Sequence, residues 1–144
     1  MTYQLAELNI ARLLAPLDSP QLQGFVDNLA RINTLAESSP GYIWRLVDIN
    51  DSVFGSEHIA TLSVWQDVET LQQFVYRSAH TDVMKRRKEW FEHMQEAWYV
   101  LWWVPEGHRP TEQEAKQKLV VLREHGPTAD AFTFKRHFAK PEVS

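Results

Sequence analysis

The segment FVYRSAHTDVMKRRKEWFEH (residues 74–93) carries the side chains with the clearest potential for chemistry, and no Gly or Pro interrupts it. At about 100° per residue, a helix here places His80 and Arg87 near the middle of an apolar face, with Arg77 at its edge. This inward face comprises Tyr76, Ala79, His80, Val83, Met84, Arg87, Trp90, Phe91 and Met94. Because a buried Arg is costly unless it meets an anion, the pattern predicts a polar contact between this helix and the layer beneath it.

A purely structural role explains the same two residues. His80 then bonds a backbone carbonyl inside the core, and Arg87 pairs with Glu7 or Asp48 or extends its guanidinium to solvent. The sequence leaves both interpretations open.

The elements that must position these residues follow a regular order. Strands are predicted at 3–13, 42–49, 58–66 and 97–105. One helix begins at Ser19-Pro20 and ends before SSPG, and a second covers 67–94 with a break or kink near Ser78. The resulting β-α-β-β-α-β order is typical of a ferredoxin-like α+β fold, an antiparallel sheet with two helices on one face.

The chain continues beyond this core as a structured C-terminal extension (106–144), so residues 1–144 form a single domain with its core in 1–105. Thr111 and Glu114 form a predicted capping box, and His125-Gly126-Pro127 ends the helix that follows. The segment AFTF (131–134) is predicted as a short strand or a packed extended segment.

Composition excludes several classes of protein. The chain has 144 residues, a net charge of −4 and no Cys. Nucleic-acid binding, thiol chemistry and Cys-ligated metal sites are therefore not expected. The sequence also has no apolar run of about 20 residues and no signal-peptide pattern at its start, which favours a cytosolic protein without membrane association.

The sheet itself predicts a partner. With both helices on one side, the other face is expected to be apolar and uncovered. The aromatic residues of AWYVLWWVP alternate, with Trp98 and Trp102 on one face and Tyr99 and Trp103 on the other. We expect a homodimer in which two sheets close face to face; the alternative is a monomer whose tail covers the sheet.

Long stretches of the chain resemble domain-of-unknown-function family 3291 of the dimeric α/β-barrel superfamily. The matching stretches are LNIARL, SPGYIWRL, LSVWQDVETLQQFVYRSAHTDVMKRRKEWF, LWWVPEGHRPTEQEA and HGPTADAFTF. The resemblance implies the ferredoxin-like subunit and the sheet-to-sheet dimer, and it assigns no activity.

Superfamily relatives include cofactor-free monooxygenases and heme-binding enzymes, with the ligand between helices and sheet. The small heme-degrading members use an Asn on the first strand, a Trp on the third and a helical His; Asn9, Trp65 and His80 occupy comparable elements. By this resemblance His80 would ligate heme iron and Arg87 or Arg77 would meet a propionate. The macrocycle would then contact Tyr76, Met84, Trp90 and Phe91.

The resemblance to these relatives implies a monooxygenase-like reaction on a small aromatic or hydrophobic ligand, without cofactor. It requires an apolar pocket, a base and a group that stabilises negative charge. His80 is the predicted base, Arg87, Arg77 or Asn9 would hold an oxyanion, and Trp65 and Trp44 would shape the pocket. Two alternatives remain open, a heme-binding or heme-degrading protein with His80 as the iron ligand and a non-catalytic ligand-binding or structural homodimer.

Overall fold

A computed structural model describes residues 2–16, 18–46, 58–77, 87–92 and 97–141, together with their side chains except those of Arg77 and Arg87. The strands are β1 (Tyr3–Arg12), β2 (Tyr42–Arg45), β3 (His58–Trp65) and β4 (Tyr99–Pro105). The helices are α1 (Gln23–Glu37), α2 (Val68–Arg77), α3 (Arg87–Trp90) and α4 (Glu112–His125), and a 3-10 turn (Pro20–Leu22) precedes α1. The predicted order of elements is confirmed.

The four strands form one antiparallel sheet in the order β2-β3-β1-β4. This is the ferredoxin-like arrangement, in which the first and third strands are central. In the register, Glu7 of β1 lies opposite Ser63 of β3 on one side and opposite Leu101 of β4 on the other. The predicted fold class is confirmed, and the register fixes which side chains share a face.

The inner face of the sheet, defined by odd-numbered residues of β1, packs against α1, α2 and α3. Its apolar side chains divide into two groups at opposite ends of the strands. The Trp65 cluster contains Leu5, Trp65, Leu71, Phe74 and Leu101, with further members from α1 and the C-terminal segment. The Trp90 cluster contains Ala11, Leu22, Phe25, Trp90 and Phe91. Burial of these large side chains contributes the main stabilisation of the helix layer.

The outer face carries the even-numbered residues of β1, and α4 packs on it. Leu8 and Leu62 in the middle of this face are buried within one chain, together with Ala115, Leu119 and Leu122 of α4. The expectation of an uncovered outer face is therefore wrong, because the C-terminal extension provides the apolar surface expected from a second copy. The homodimer itself stays a prediction.

The start of α4 confirms the predicted capping by Thr111. The Thr111 hydroxyl accepts a hydrogen bond from the Glu114 N–H at 3.1 Å. The Glu114 carboxylate does not complete the reciprocal bond of a capping box; it accepts the indole N–H of Trp102 at 2.9 Å and contacts His108 Nε2 at 2.7 Å. Glu114, in the first turn of α4, thus fastens this helix to β4.

The C-terminal segment after α4 returns to the sheet, as predicted for AFTF. The helix ends at Gly126, with φ +73°, and the Gly126 N–H donates to the Leu122 carbonyl at 2.9 Å. Phe132 then pairs with Leu101 at the free edge of β4 through two hydrogen bonds of 2.9 Å. This pairing covers the edge of β4 within the chain.

Two predicted boundaries differ from the structure. The helix predicted to reach residue 94 ends at Trp90, because Phe91 forms a β-bridge with Leu13 and the Glu92 N–H donates to the Arg12 carbonyl at 2.9 Å. Backbone pairing with the continuation of β1 thus replaces the last helical turn. The strand predicted over 42–49 is described as far as Arg45, and 47–49 lie outside the described residues.

Gly41 is a position where the fold requires glycine. Its φ is +87°, and a Cβ added there would overlap the side chain of Thr70. Thr70 is engaged in the cap of α2, since its N–H donates to Asp67 Oδ1 at 2.9 Å and its hydroxyl contacts the Asp67 carbonyl at 3.1 Å. Gly41 therefore allows the loop before β2 to approach the start of α2.

We expect Gly41→Ala to lower the free energy of unfolding by about 2–3 kcal/mol, from the left-handed conformation plus the disturbed cap. Gly107→Ala is the matched control, because Gly107 has the same φ of +87° with nothing near its added Cβ. The control should lose only about 1 kcal/mol. Urea unfolding of both variants measures the difference, and equal losses would show that the contact with Thr70 is unimportant.

Candidate functional site

A row of polar side chains crosses the middle of the inner face, between the Trp65 cluster and the Trp90 cluster. On β1, Leu5 and Ala11 belong to the two clusters, and the inner-face residues between them are Glu7 and Asn9. On β3, Ser63 and Thr61 occupy the matching positions opposite them. We call this row the polar belt, and it comprises Glu7, Asn9, Arg45, Thr61, Ser63 and Tyr99.

Solvent reaches the polar belt although it lies on central strands. Thr61 is exposed, and Glu7, Asn9 and Ser63 are partly exposed, whereas Leu62 beside them on the outer face is buried. A side chain in the middle of a helix-covered sheet face stays exposed only where the covering layer leaves an opening. Among the described residues, the inner face therefore has an accessible polar centre between two apolar walls, which is the usual composition of a small-molecule site.

Glu7 is the titratable group with the strongest perturbation at this centre. Among the described residues, its carboxylate has no hydrogen bond and no ion pair. Although Glu7 keeps some exposed surface, most of the residue is buried, and this burial raises the pKa of its carboxyl from the ordinary 4.5 to about 7. A carboxyl with this pKa exists in both protonation states near neutral pH, which is the property required of a general acid or base.

Tyr99 lies beside Asn9 on β4 and supplies a hydrogen-bond donor. Its phenolic oxygen accepts the backbone N–H of Phe134 at 3.1 Å and a hydrogen bond from Thr133. Burial raises the pKa of Tyr99, and the negative charge of Glu7 raises it further. The phenol therefore stays protonated, and no acceptor for its own hydrogen is found among the described residues.

Trp65 closes one end of the belt as a core residue. It is 1% exposed, its ring stacks on Phe74 with centroids 5.2 Å apart, and the ring of Tyr42 meets it edge-on at 5.6 Å. Its indole N–H donates to the Ser63 hydroxyl at 3.0 Å. Trp65 thus orients Ser63 within the belt, while its ring faces are occupied by the protein.

The other residues predicted for the site fall in different places. Asn9 lies in the belt, whereas Trp90 and Phe91 are buried against Phe25 in the Trp90 cluster. The prediction that Tyr76 faces inward is not met, since it is 63% exposed at the end of α2, where the face turns towards solvent. Trp44 lies on the outer face beneath the Arg109 guanidinium, on the side opposite to Asn9.

Four predicted residues fall wholly or partly outside the described part of the chain. His80 and Met84 lie outside it altogether, and for Arg77 and Arg87 only the backbone is described, at the last residue of α2 and the first residue of α3. Their assigned roles stay predictions.

The described residues do not fit the heme interpretation. Of the aromatic residues assigned to a macrocycle, Tyr76 points to solvent, and Trp90 and Phe91 pack on α1 rather than on the belt. Trp65 has both its ring and its N–H engaged by neighbouring side chains. Within the described residues, no three His, Asp or Glu side chains converge to hold a metal ion.

The sequence patterns did not identify three residues of the belt as site residues, namely Glu7, Arg45 and Tyr99. The only role that the sequence suggested for Glu7 was that of an internal partner of Arg87. A signal for them was present in the strand patterns. The outer-face positions of β1 and β3 are all apolar in their centres, whereas the helix-covered face carries Glu7, Asn9, Thr61 and Ser63. A polar centre on the face that helices cover is the reverse of ordinary amphipathic patterning.

The antiparallel sheet in the order β2-β3-β1-β4, with α1 and α2 on one face, defines a ferredoxin-like fold. Residues 4–144 match the family described as a domain of unknown function (DUF3291), and the chain belongs to that family.

Solved structures with the same fold have distant sequences. A protein of unknown function from Nitrosomonas europaea, NE2512, is 14% identical, with a TM-score of 0.51, over 76% of this chain and 95% of that chain. SnoaB, a cofactor-independent oxygenase from Streptomyces nogalater, is 12% identical, with a TM-score of 0.50, over 77% of this chain and 97% of that chain. No curated protein matches the sequence significantly. In the described part, none of the helices is long and apolar enough to cross a membrane.

Proposed function

We propose that the polar belt binds a small aromatic or hydrophobic ligand and that Glu7 removes an acidic proton from it, in a cofactor-independent, monooxygenase-like reaction. The observation that carries this proposal is a carboxyl with a pKa of about 7 at an accessible centre between two apolar walls. The fold shared with SnoaB, which is described as a cofactor-independent oxygenase, supports the reaction class.

The proton transfer requires a base and a means of holding the anion that forms. The Glu7 carboxylate accepts the proton and becomes a neutral carboxyl, while the electron pair of the broken bond stays on the ligand. An aromatic system delocalises that pair towards an oxygen atom. Asn9 and Tyr99 flank Glu7 on β1 and β4 and provide an amide N–H and a phenol O–H for this oxyanion.

The anion of such a ligand is an electron donor for O₂. In the balanced reaction, a methylene group loses two hydrogens, one oxygen atom enters the ligand as a carbonyl, and the second oxygen leaves as water. The ligand supplies all four electrons that O₂ accepts. The protein contributes the base, the oxyanion donors and apolar walls that keep the anion out of bulk water.

The test uses anthrone, an aromatic ketone with an acidic methylene. Without O₂, the protein in D₂O should exchange the methylene protons faster than buffer does, as followed by proton NMR. With O₂, an oxygen electrode should record consumption with anthraquinone as the product. If the methylene protons exchange but no O₂ is consumed, the protein catalyses proton transfer and not oxygenation. Binding with neither exchange nor consumption would favour the non-catalytic alternative and would overturn the proposal.

A further inference from the structure

One row of residues across the four strands of the inner face ends at the positively charged side chain of Arg45. The register aligns Leu101 of β4, Glu7 of β1, Ser63 of β3 and Arg45 of β2. Neighbouring strands lie about 4.8 Å apart, so the Cα atoms of Glu7 and Arg45 are separated by roughly 10 Å. The base and the cation therefore share one face of the sheet, with the small Ser63 between them.

The Arg45 guanidinium lacks a good partner among the described residues. Its Nε is buried and makes no hydrogen bond. The nearest described carboxylate, Glu37 Oε2 at the end of α1, lies 3.7 Å away, which is too long for a hydrogen bond. The Arg45 side chain is 26% exposed while that of Glu37 is 46% exposed. The buried Nε of Arg45 thus has no hydrogen bond, and the ion pair with Glu37 is loose.

A buried N–H group without a hydrogen bond carries a desolvation cost, which a bound acceptor would remove. A guanidinium presents its N–H groups as a planar fork that matches a carboxylate, and an ionised partner gives the strongest hydrogen bonds of this type. Ser63, next along the row, has a hydroxyl that accepts from Trp65 and keeps its own hydrogen to donate. Arg45 and Ser63 together therefore offer donors to an anion at the β2 end of the belt.

We propose that Arg45 binds a carboxylate group of the ligand, so that the substrate class is an aromatic carboxylate whose acidic proton lies at the Glu7 end of the row. This inference rests on the proposed function, because it places the ligand on the same belt. Such a ligand would span the roughly 10 Å between the Cα atoms of Glu7 and Arg45, with its aromatic rings between the two charged groups. Glu37 occupies the anion position loosely and competes with the ligand for Arg45.

Isothermal titration calorimetry with 2-naphthoate and its neutral counterpart, methyl 2-naphthoate, tests the inference. The wild-type protein should bind 2-naphthoate about 10- to 100-fold more tightly than the ester, as a charge-assisted hydrogen-bond pair allows. Arg45→Met, which keeps an apolar side chain of similar length, should lose that preference with less than about a twofold change for the ester. Glu37→Gln should strengthen 2-naphthoate binding because it removes the competing carboxylate.

Arg31→Met is the matched control, since Arg31 is an exposed residue of α1 that bonds Asn28 at 2.9 Å. It should leave both affinities unchanged. Equal affinity of the wild-type protein for the two ligands would overturn the role of Arg45 and leave Glu7 as the base. A preference that persists in folded Arg45→Met would also overturn it. Failure of both ligands to bind would overturn the ligand site and the carboxylate assignment together.

Discussion

Glu7→Gln should lower the rate of anthrone deprotonation by about 10²- to 10⁴-fold, the range typical of a lost general base. Gln has the size of a protonated Glu and keeps a hydrogen-bonding group at the same position, but it cannot accept the proton. The measurement is the NMR exchange rate in D₂O without O₂. Ligand affinity, measured separately, should change little because the base acts on the transition state rather than on binding.

The pH dependence of the wild-type protein provides an independent signature. Only the ionised carboxylate accepts a proton, so the exchange rate should rise with pH and level off above about 7, the pKa that burial gives Glu7. Glu7→Asp keeps the carboxylate but withdraws it by one methylene, so it should retain part of the rate. These signatures distinguish a base from a residue that only supports the fold.

His80→Ala separates the two candidate bases. If Glu7 is the base, this variant keeps the increase in rate around pH 7, whereas Glu7→Gln loses it. A rate that depends on His80 and is indifferent to Glu7→Gln would reject the assignment of Glu7. The sequence-based role of His80 would then be supported instead.

The same carboxyl should make the protein less stable as the pH rises. In the folded protein the pKa of Glu7 is raised from 4.5 to about 7. The folded state therefore binds this proton more tightly than the unfolded state does. The resulting stabilisation is complete below pH 4.5 and is lost as the pH rises to about 7. A shift of this size corresponds to about 3 kcal/mol.

Glu7→Gln should remove this dependence, since Gln is neutral at every pH. Compared with the wild-type protein, the variant should gain about 3 kcal/mol in the free energy of unfolding between pH 4 and pH 8. Urea unfolding at the two pH values provides the measurement. Glu69→Gln, at an exposed position of α2, controls for removal of one carboxylate. A pH-independent difference between wild type and Glu7→Gln would mean that Glu7 has an ordinary pKa, which would also weaken its role as base.

The two expected effects of Glu7→Gln have opposite signs and one cause. Burying a carboxyl without a partner destabilises its ionised form, and that destabilisation moves its pKa into the range useful for proton transfer. If Glu7 is retained for function at a cost in stability, Glu7→Gln should be inactive and yet more stable than the wild-type protein at pH 8. A residue required only for packing would lose stability when replaced.

Structural features that depend on residues close together in the chain, such as strand faces and helix caps, were predictable from the sequence. Strand alternation assigned Trp98 and Trp102 to one face and Tyr99 and Trp103 to the other, as the structure confirms. Thr111 and Gly126 marked the two ends of α4 because a cap depends on residues within one turn. The helix predicted over 67–94 ends before Phe91 for the opposite reason, since the backbone of Phe91 pairs with Leu13 far away in the chain.

What the sequence by itself determined is the β-α-β-β-α-β order, the two faces of each strand and the caps of the tail helix, because these depend on neighbours along the chain. The tertiary structure alone decided that Glu7, Ser63 and Arg45 share a row, since strand register depends on contacts between distant segments. It also decided that α4 covers the outer face, where its apolar stripe packs on the sheet. The position of the polar belt has the same origin, because the two inner clusters pack at opposite ends of the strands and, in the described part of the chain, leave the centre between them open.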